Sequence, residues 1–247
     1  MKTLVPVELR KLATIRGPRV IVAAASALVI VFAVFAVATA GEGDAPPLGP
    51  ETLPGFLRSP AQLLGFVALL IGVIAVAGEW THRTVTRTFL LTPARRRVVV
   101  AKMLTGVIVG VGVAVLALTL GLLVVLPVLL ANGTALSPVA SAEAALATIG
   151  ISALYGLMGV ALGVLTRNQT VALVAALLWN LVAENVVPIV LRTPQLYGWL
   201  PGGAADAVLG RDRSGLLDPV GGGLLLAAYA VALATTGTLL ILRRDTA

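Results

Sequence analysis

Six long apolar runs, joined by shorter polar stretches, dominate this chain of 247 residues. A helix of about 20 apolar residues matches the hydrocarbon thickness of a bilayer. The runs lie at about 20–39, 61–77, 103–126, 144–165, 170–190 and 220–242. Only helices or closed barrels satisfy every backbone polar group in lipid. Unbroken apolar runs, rather than alternating segments of about ten residues, exclude the barrel. The expected fold is therefore an all-α membrane protein with six transmembrane helices, forming a single transmembrane domain over residues 1–247.

Composition agrees with that reading. Hydrophobic residues make up 58% and charged residues 12%, with a mean hydropathy of +1.02. A soluble domain carries about 25% charge. The net charge of +7 would point to nucleic acid in a soluble protein. Here the basic residues flank apolar spans, where they orient the helices and meet anionic lipid, so no nucleic-acid partner is expected. The absence of cysteine and the single histidine, His82, leave no disulfide and no Cys/His metal site. Arginine far outnumbers lysine, and Ala, Val, Leu and Gly prevail. That usage fits a GC-rich bacterial genome.

Before the first span, residues 5–16 read as a short amphipathic helix lying in the headgroup region. Val5, Leu9, Leu12 and Ile15 share one face, Glu8, Lys11 and Thr14 the other, and Gly17-Pro18 reads as its stop. Ala38-Thr39-Ala40 mimics a signal-peptidase site, but the preceding apolar run exceeds the core of a cleaved signal, so an uncleaved span is expected. Residues 41–60 are acidic and rich in proline, and are expected to lack regular structure. Span three is expected to stop at Pro127, and Thr166-Arg167-Asn168-Gln169 to form a tight turn between spans four and five. Residues 192–218 read as a Gly/Pro-rich connection with interfacial Tyr197 and Trp199.

Fourteen of the eighteen basic residues fall on the side that holds both termini. The positive-inside bias makes that side cytoplasmic. An even number of spans requires the termini to agree, as they do.

Chemistry is sparse. There is no G-x-x-x-x-G-K-[ST] phosphate cradle, no HExxH and no paired buried carboxylates. The chain is expected to have no catalytic residue and no metal site. The most patterned polar segment is residues 78–93, between spans two and three. Trp80, Thr84, Arg87 and Leu91 recur at helical spacing, and Pro93 ends the run. Glu79 is expected near the N-terminus of this short helix, where the dipole favours a carboxylate. Periodicity alone leaves two readings: an interfacial turn anchored on lipid phosphates, or a helix that docks on a cytoplasmic partner.

A second candidate is span five, with Asn180 and Glu184 four residues apart on one helical face and Asn185 beside them. A central charge costs about 2.5–3.5 kcal/mol in a bilayer, so such groups face a bundle interior or a watery cavity. Three readings stay open for Glu184: solvated at the outer interface, protonated between helices, or part of a substrate pathway. The small-residue pairs Gly106/Gly110 and Gly159/Gly163 permit close helix approach.

The run Glu79-Trp80-Thr81-His82-Arg83-Thr84 after the second of six spans, followed by Thr92-Pro93-Ala94-Arg95-Arg96, resembles the permease subunits of ABC-2-type exporters. The N-terminal amphipathic helix, the six spans and Trp199-Leu200-Pro201-Gly202-Gly203-Ala204-Ala205 before the last span match as well. The resemblance covers essentially the whole chain; its motifs are short, and their order and membrane side make it specific. It implies a transport subunit of the bacterial cytoplasmic membrane that dimerises with a second copy or a paralogue. It further implies two separately encoded ATPase subunits, which would bind the ATP and Mg that this chain has no cofactor site for. The segment between spans two and three would be the coupling helix, with Glu79, Trp80 and Thr84 as coupling residues and Arg83 and Arg87 beside them. The competing class is an ATP-independent membrane protein, either a secondary transporter or a structural or assembly component. A secondary transporter would carry several ionisable groups at mid-bilayer, and only Glu184 is found here.

Overall fold

The computed structural model describes residues 4–43, 45–81 and 95–244. Among them there is no strand. Helix α1 spans Leu4–Thr14, α2 Arg16–Ala38, α3 Thr52–Arg58 and α4 Ala61–Thr81. Helix α5 spans Arg95–Ala131, α6 Pro138–Thr166 and α7 Gln169–Leu178. A π turn, Trp179–Ala183, leads into α8, Glu184–Val190; a 3-10 turn, Pro194–Trp199, precedes α9, Pro201–Val208, and α10 is Pro219–Arg244. Among the described residues six stretches are long and apolar enough to cross a membrane: Arg16–Ala38, Thr52–Trp80, Arg97–Ala131, Pro138–Thr166, Gln169–Val190 and Pro219–Leu240.

Several boundaries depart from the sequence expectation, each for a local reason. The break after α1 falls at Ile15, whose backbone is extended, and Pro18 belongs to the first turn of α2. There its missing N–H is no loss, because first-turn amides have no intrahelical partner. The proline-rich stretch before span two is not wholly irregular, since Pro54 likewise occupies the first turn of α3. Phe56 of α3 stacks on Phe32 of α2 at 6.4 Å, and the Thr148 hydroxyl donates to the Leu57 carbonyl at 2.8 Å. Helix α5 does not stop at Pro127 but carries it to Ala131. Val125 and Leu129, both fully buried, pack on either side of the proline and hold the last turn in place. At 37 residues α5 is about 55 Å long, so it overreaches the roughly 30 Å hydrocarbon core. Residues 192–218 are also more ordered than a connection, holding the 3-10 turn and α9, whose residues 201–207 are all buried.

Helix α6 is the centre of the bundle, packed on α4, α5 and α10. Its glycines permit this. A Cβ on Gly72 of α4 would lie 2.6 Å from the Gly156 carbonyl oxygen, and one on Gly106 of α5 would lie 2.7 Å from the same atom. The Gly106/Gly110 and Gly159/Gly163 pairs thus mark the two seams along which α5 and α4 lie backbone to backbone against α6. Helices α2, α7 and α8 and the π turn between the last two by contrast present large exposed apolar side chains, among them Val31, Phe35, Leu181 and Ile189. Such surface is stable against lipid or another apolar helix, not against water.

The tight turn between α6 and α7 forms as expected. Arg167 takes a left-handed conformation with φ 53°, and the Asn168 side chain accepts from the Val171 amide at 3.2 Å, capping α7.

Candidate functional site

Two clusters of polar residues interrupt the apolar bundle, one at each end. At the basic end, Glu79 and Trp80 continue α4 rather than open a new helix. A carboxylate there gains nothing from a helix N-terminus, and it is held by cations instead. Lys102 Nζ lies 2.9 Å from Glu79 Oε2 and 2.8 Å from Glu8 Oε2; Lys11 Nζ lies 3.1 Å from Glu79 Oε1 and 2.8 Å from Glu8 Oε1. The four groups form a closed ring of alternating sign that joins α1, α4 and α5. Glu8 is 8% exposed and Lys102 6%, while the Lys11 side chain is 41% exposed, so the ring is buried on its Lys102 side and open to the surface at Lys11. It also changes the reading of α1: Glu8, assigned to the solvated face, is turned inward with Leu12, while Val7 and Ile15 are exposed.

Burial by itself would raise the Glu8 carboxyl, but Lys102 and then Lys11 hold it below the ordinary glutamate range. Burial would lower Lys11, but Glu8 and Glu79 hold it above the ordinary lysine range. The depressed carboxyl contributes stability that is lost only as pH falls below its folded value. The raised ammonium contributes stability lost only as pH rises past its own. Hydrogen exchange across residues 4–14, taken relative to the intrinsic amide rate at each pH, is accordingly expected to stay slow and nearly constant between about pH 5 and pH 10. Glu8→Gln removes the charge between the two lysines and leaves Lys102 half-compensated, and is expected to accelerate that exchange throughout this pH range. Removing one partner of a buried pair costs about 3–5 kcal/mol.

Trp80 receives the Arg167 guanidinium over its ring at 4.6 Å, which ties the turn between α6 and α7 to the same end of the bundle. Arg83, Thr84 and Arg87, with the expected coupling helix, lie outside the described residues.

At the opposite end, Glu184 is 4% exposed. Its Oε1 accepts from the Trp179 indole N–H at 2.9 Å and from the Gly202 amide at 3.0 Å. It is therefore neither solvated nor stranded. The π turn immediately before it adds a residue to the helical repeat, yet Asn180 and Glu184 both line one cavity of about 340 Å³ between α4, α6, α7 and α10. Asn185 does not; its amide donates back to the Asn180 and Leu181 carbonyls at 3.3 Å. Behind Glu184, Asp206 of α9 accepts from Gln62 at 2.8 Å and from the Tyr197 hydroxyl at 2.8 Å. Arg211 and Arg213 complete its surroundings at 3.2 and 3.7 Å. Burial first, and the bond to Asp206 second, push the Tyr197 phenol far above its ordinary range, so it donates at any physiological pH.

A family model described as ABC-2 family transporter protein matches residues 56–197. The chain belongs to the ABC-2 transporter family. The match runs from α3 into the 3-10 turn before α9, and so includes Glu79, Lys102, Asn180 and Glu184, but not Glu8, Lys11 or Asp206. A comparison with curated proteins finds no match. ABC-2 family members are the membrane-spanning permease components of ABC transporters. They lack an ATPase motif of their own and work with ABC ATPase partners. With its six apolar helices, this permease is a multi-pass membrane protein.

Tyr155 and Asp206 are absent from the sequence reading, and Lys102 enters it only as one of the fourteen basic residues on the termini side. Lys102 carried a usable signal: a lone lysine at the foot of an apolar run, on the same side as Glu8 and Glu79. Asp206 carried none, because it lies in a Gly/Ala-rich stretch with no periodicity to say which face is buried.

Proposed function

We propose that this permease is the pathway-forming subunit of an ATP-driven exporter, dimeric and driven by separate ATPase subunits docked at its basic end. That end is the cytoplasmic one, and the membrane is the bacterial cytoplasmic membrane; fourteen of eighteen basic residues on the termini side support this orientation. ATP and Mg are bound by the partner subunits. The second permease is another copy of this chain or a paralogue.

The observation that carries the reading is the position of Glu79. It begins the segment expected to meet the ATPase, and it is clamped through Lys11 and Lys102 to α1 and α5. A push on the segment that follows Glu79 is thereby passed to three helices together. The substrate side of the proposal rests on Asn180 and Glu184, which face a cavity inside the bundle.

Reconstituted with its ATPase, Glu79→Ala is expected to lower substrate moved per ATP hydrolysed by about tenfold or more, equivalent to losing one modest interaction. Thr84→Pro, which forbids a regular helix at that point, is expected to do the same. Membrane insertion should be intact in both. Wild-type transport in either variant would overturn the assignment of this segment.

A further inference from the structure

The cavity beside Glu184 has a chemistry that selects its occupant. Its wall is almost wholly apolar, with Leu69, Met158 and Ala176 among the contributors. Three aromatic residues, Tyr155, Trp179 and Tyr229, also line it. The one ionisable carboxyl on the wall is Glu184, and no lysine, arginine or histidine lines it. Among the described residues no cation stands within ion-pair distance of Glu184. The nearby arginines, Arg211 and Arg213, are engaged with Asp206. Both hydrogen bonds to Glu184 converge on Oε1 and hold the carboxyl group in one orientation.

A second, independent observation points to a missing partner. Tyr155 is 3% exposed, and its buried hydroxyl has no hydrogen-bond partner among the described residues. A buried polar atom of this kind is rare in a native protein and calls for a ligand, an ion or water. Trp179, which lines the cavity, is also 48% exposed on the flank of the bundle, so the cavity meets the surface that faces lipid.

A carboxylate without a counter-ion in an apolar enclosure is costly. A cation that brings its own apolar body relieves that cost. Aromatic faces attract an organic ammonium further, most strongly when it is desolvated. A hydrated metal ion finds too few oxygens here, and an anion meets only Glu184. The volume of about 340 Å³ sits at the small end of ligand pockets. We propose that this cavity binds a small organic cation, an ammonium-type charge on an apolar or aromatic body, which enters from the bilayer side and is held by Glu184 and the aromatic residues around it. This deepens the pathway reading of Glu184 given above and rests on it.

The test is equilibrium dialysis of radiolabelled benzyltrimethylammonium against the full chain in lipid nanodiscs, with neopentylbenzene, its neutral carbon isostere, as competitor. Wild type is expected to bind saturably, one cation per chain, and the isostere to compete at least about tenfold more weakly. Glu184→Gln keeps the acceptor for Trp179 and Gly202 but removes the charge, and is expected to weaken binding about tenfold or more. Ala176→Phe fills the cavity from another helix and is expected to abolish binding, so the outcome does not hang on one variant. Absence of saturable binding overturns the proposal. So does unchanged affinity in Glu184→Gln, or equal competition by the isostere, which would make the cavity a general apolar pocket for lipid chains. No ATPase is present in this measurement, so its failure leaves the exporter assignment standing, and a failure of coupling leaves the binding result standing.

Discussion

Gly159→Leu is expected to prevent the accumulation of folded, monodisperse protein. A Cβ at position 159 would sit on the carbonyl oxygen of Leu69, with the rest of that residue's backbone directly behind it. A clash with a side chain can be relieved by a change of rotamer. One with backbone is relieved only by moving a helix, and α4 is the most extensive neighbour of α6. Overpacking a core typically costs about 1–3 kcal/mol, and a rigid backbone contact along a whole helix seam lies at or above the top of that range. Even Gly159→Ala should lower the melting temperature. Gly150→Ala, also in α6, is the matched control: a Cβ there meets nothing within 4 Å. It should leave stability unchanged or raise it by up to about 1 kcal/mol through helix propensity. Size-exclusion profiles and thermal melting of the detergent-solubilised protein decide the comparison. Equal behaviour of Gly159→Leu and Gly150→Ala would show that the α4–α6 seam is not the close contact described.

Asp206→Ala is expected to be the most damaging change at the opposite end. The carboxylate is 3% exposed and gathers Gln62 from α4, Tyr197 from the 3-10 turn and the two arginines that follow α9. The arginine contacts contribute little, since both guanidiniums are at least 40% exposed and solvent screens them. The bonds from Gln62 and Tyr197 decide the outcome. Each is made to a buried charged acceptor, worth about 1.5–3 kcal/mol; removal leaves the Tyr197 hydroxyl without this acceptor and Gln62 with only the Gly202 carbonyl at 3.1 Å. The expected loss is about 3 kcal/mol or more, with release of α9 and, through Gly202, of the amide that orients Glu184. Asp206→Asn keeps an acceptor and should lose roughly half as much. A melting temperature for Asp206→Ala within error of wild type would mean that α9 is held by its apolar contacts alone.

Hydropathy made the fold legible because lipid imposes one rule on every span: satisfy the backbone internally and face the tails with apolar atoms. Six long apolar helices and the tight turn at 166–169 are therefore present among the described residues, with several boundaries shifted for local reasons. The short helices were harder to read. Prolines 54, 194 and 201 look like breakers in sequence, and each sits in the first turn of its element, where a missing N–H costs nothing. Pro127 is carried inside α5 because buried Val125 and Leu129 clamp the helix around it.

The apolar periodicity, a local property of the chain, was sufficient to predict six helices long and apolar enough to cross a membrane. The lopsided charge carries the expectation that its basic segments lie on one side. The same positive face led to residues 78–93 and Glu79; the family match over residues 56–197 supports the permease class alone. Tertiary structure decided which charges meet. The Glu8–Lys11 pair of α1, Glu79 and Lys102 are distant from one another in sequence and converge only when α1 is laid across α4 and α5. Tyr155 and Glu184 share a cavity only because glycines let α4 and α6 close on each other and α9 is folded in behind. Pairings of this kind depend on helix separation and rotation, which follow from packing and leave no periodic trace in the chain.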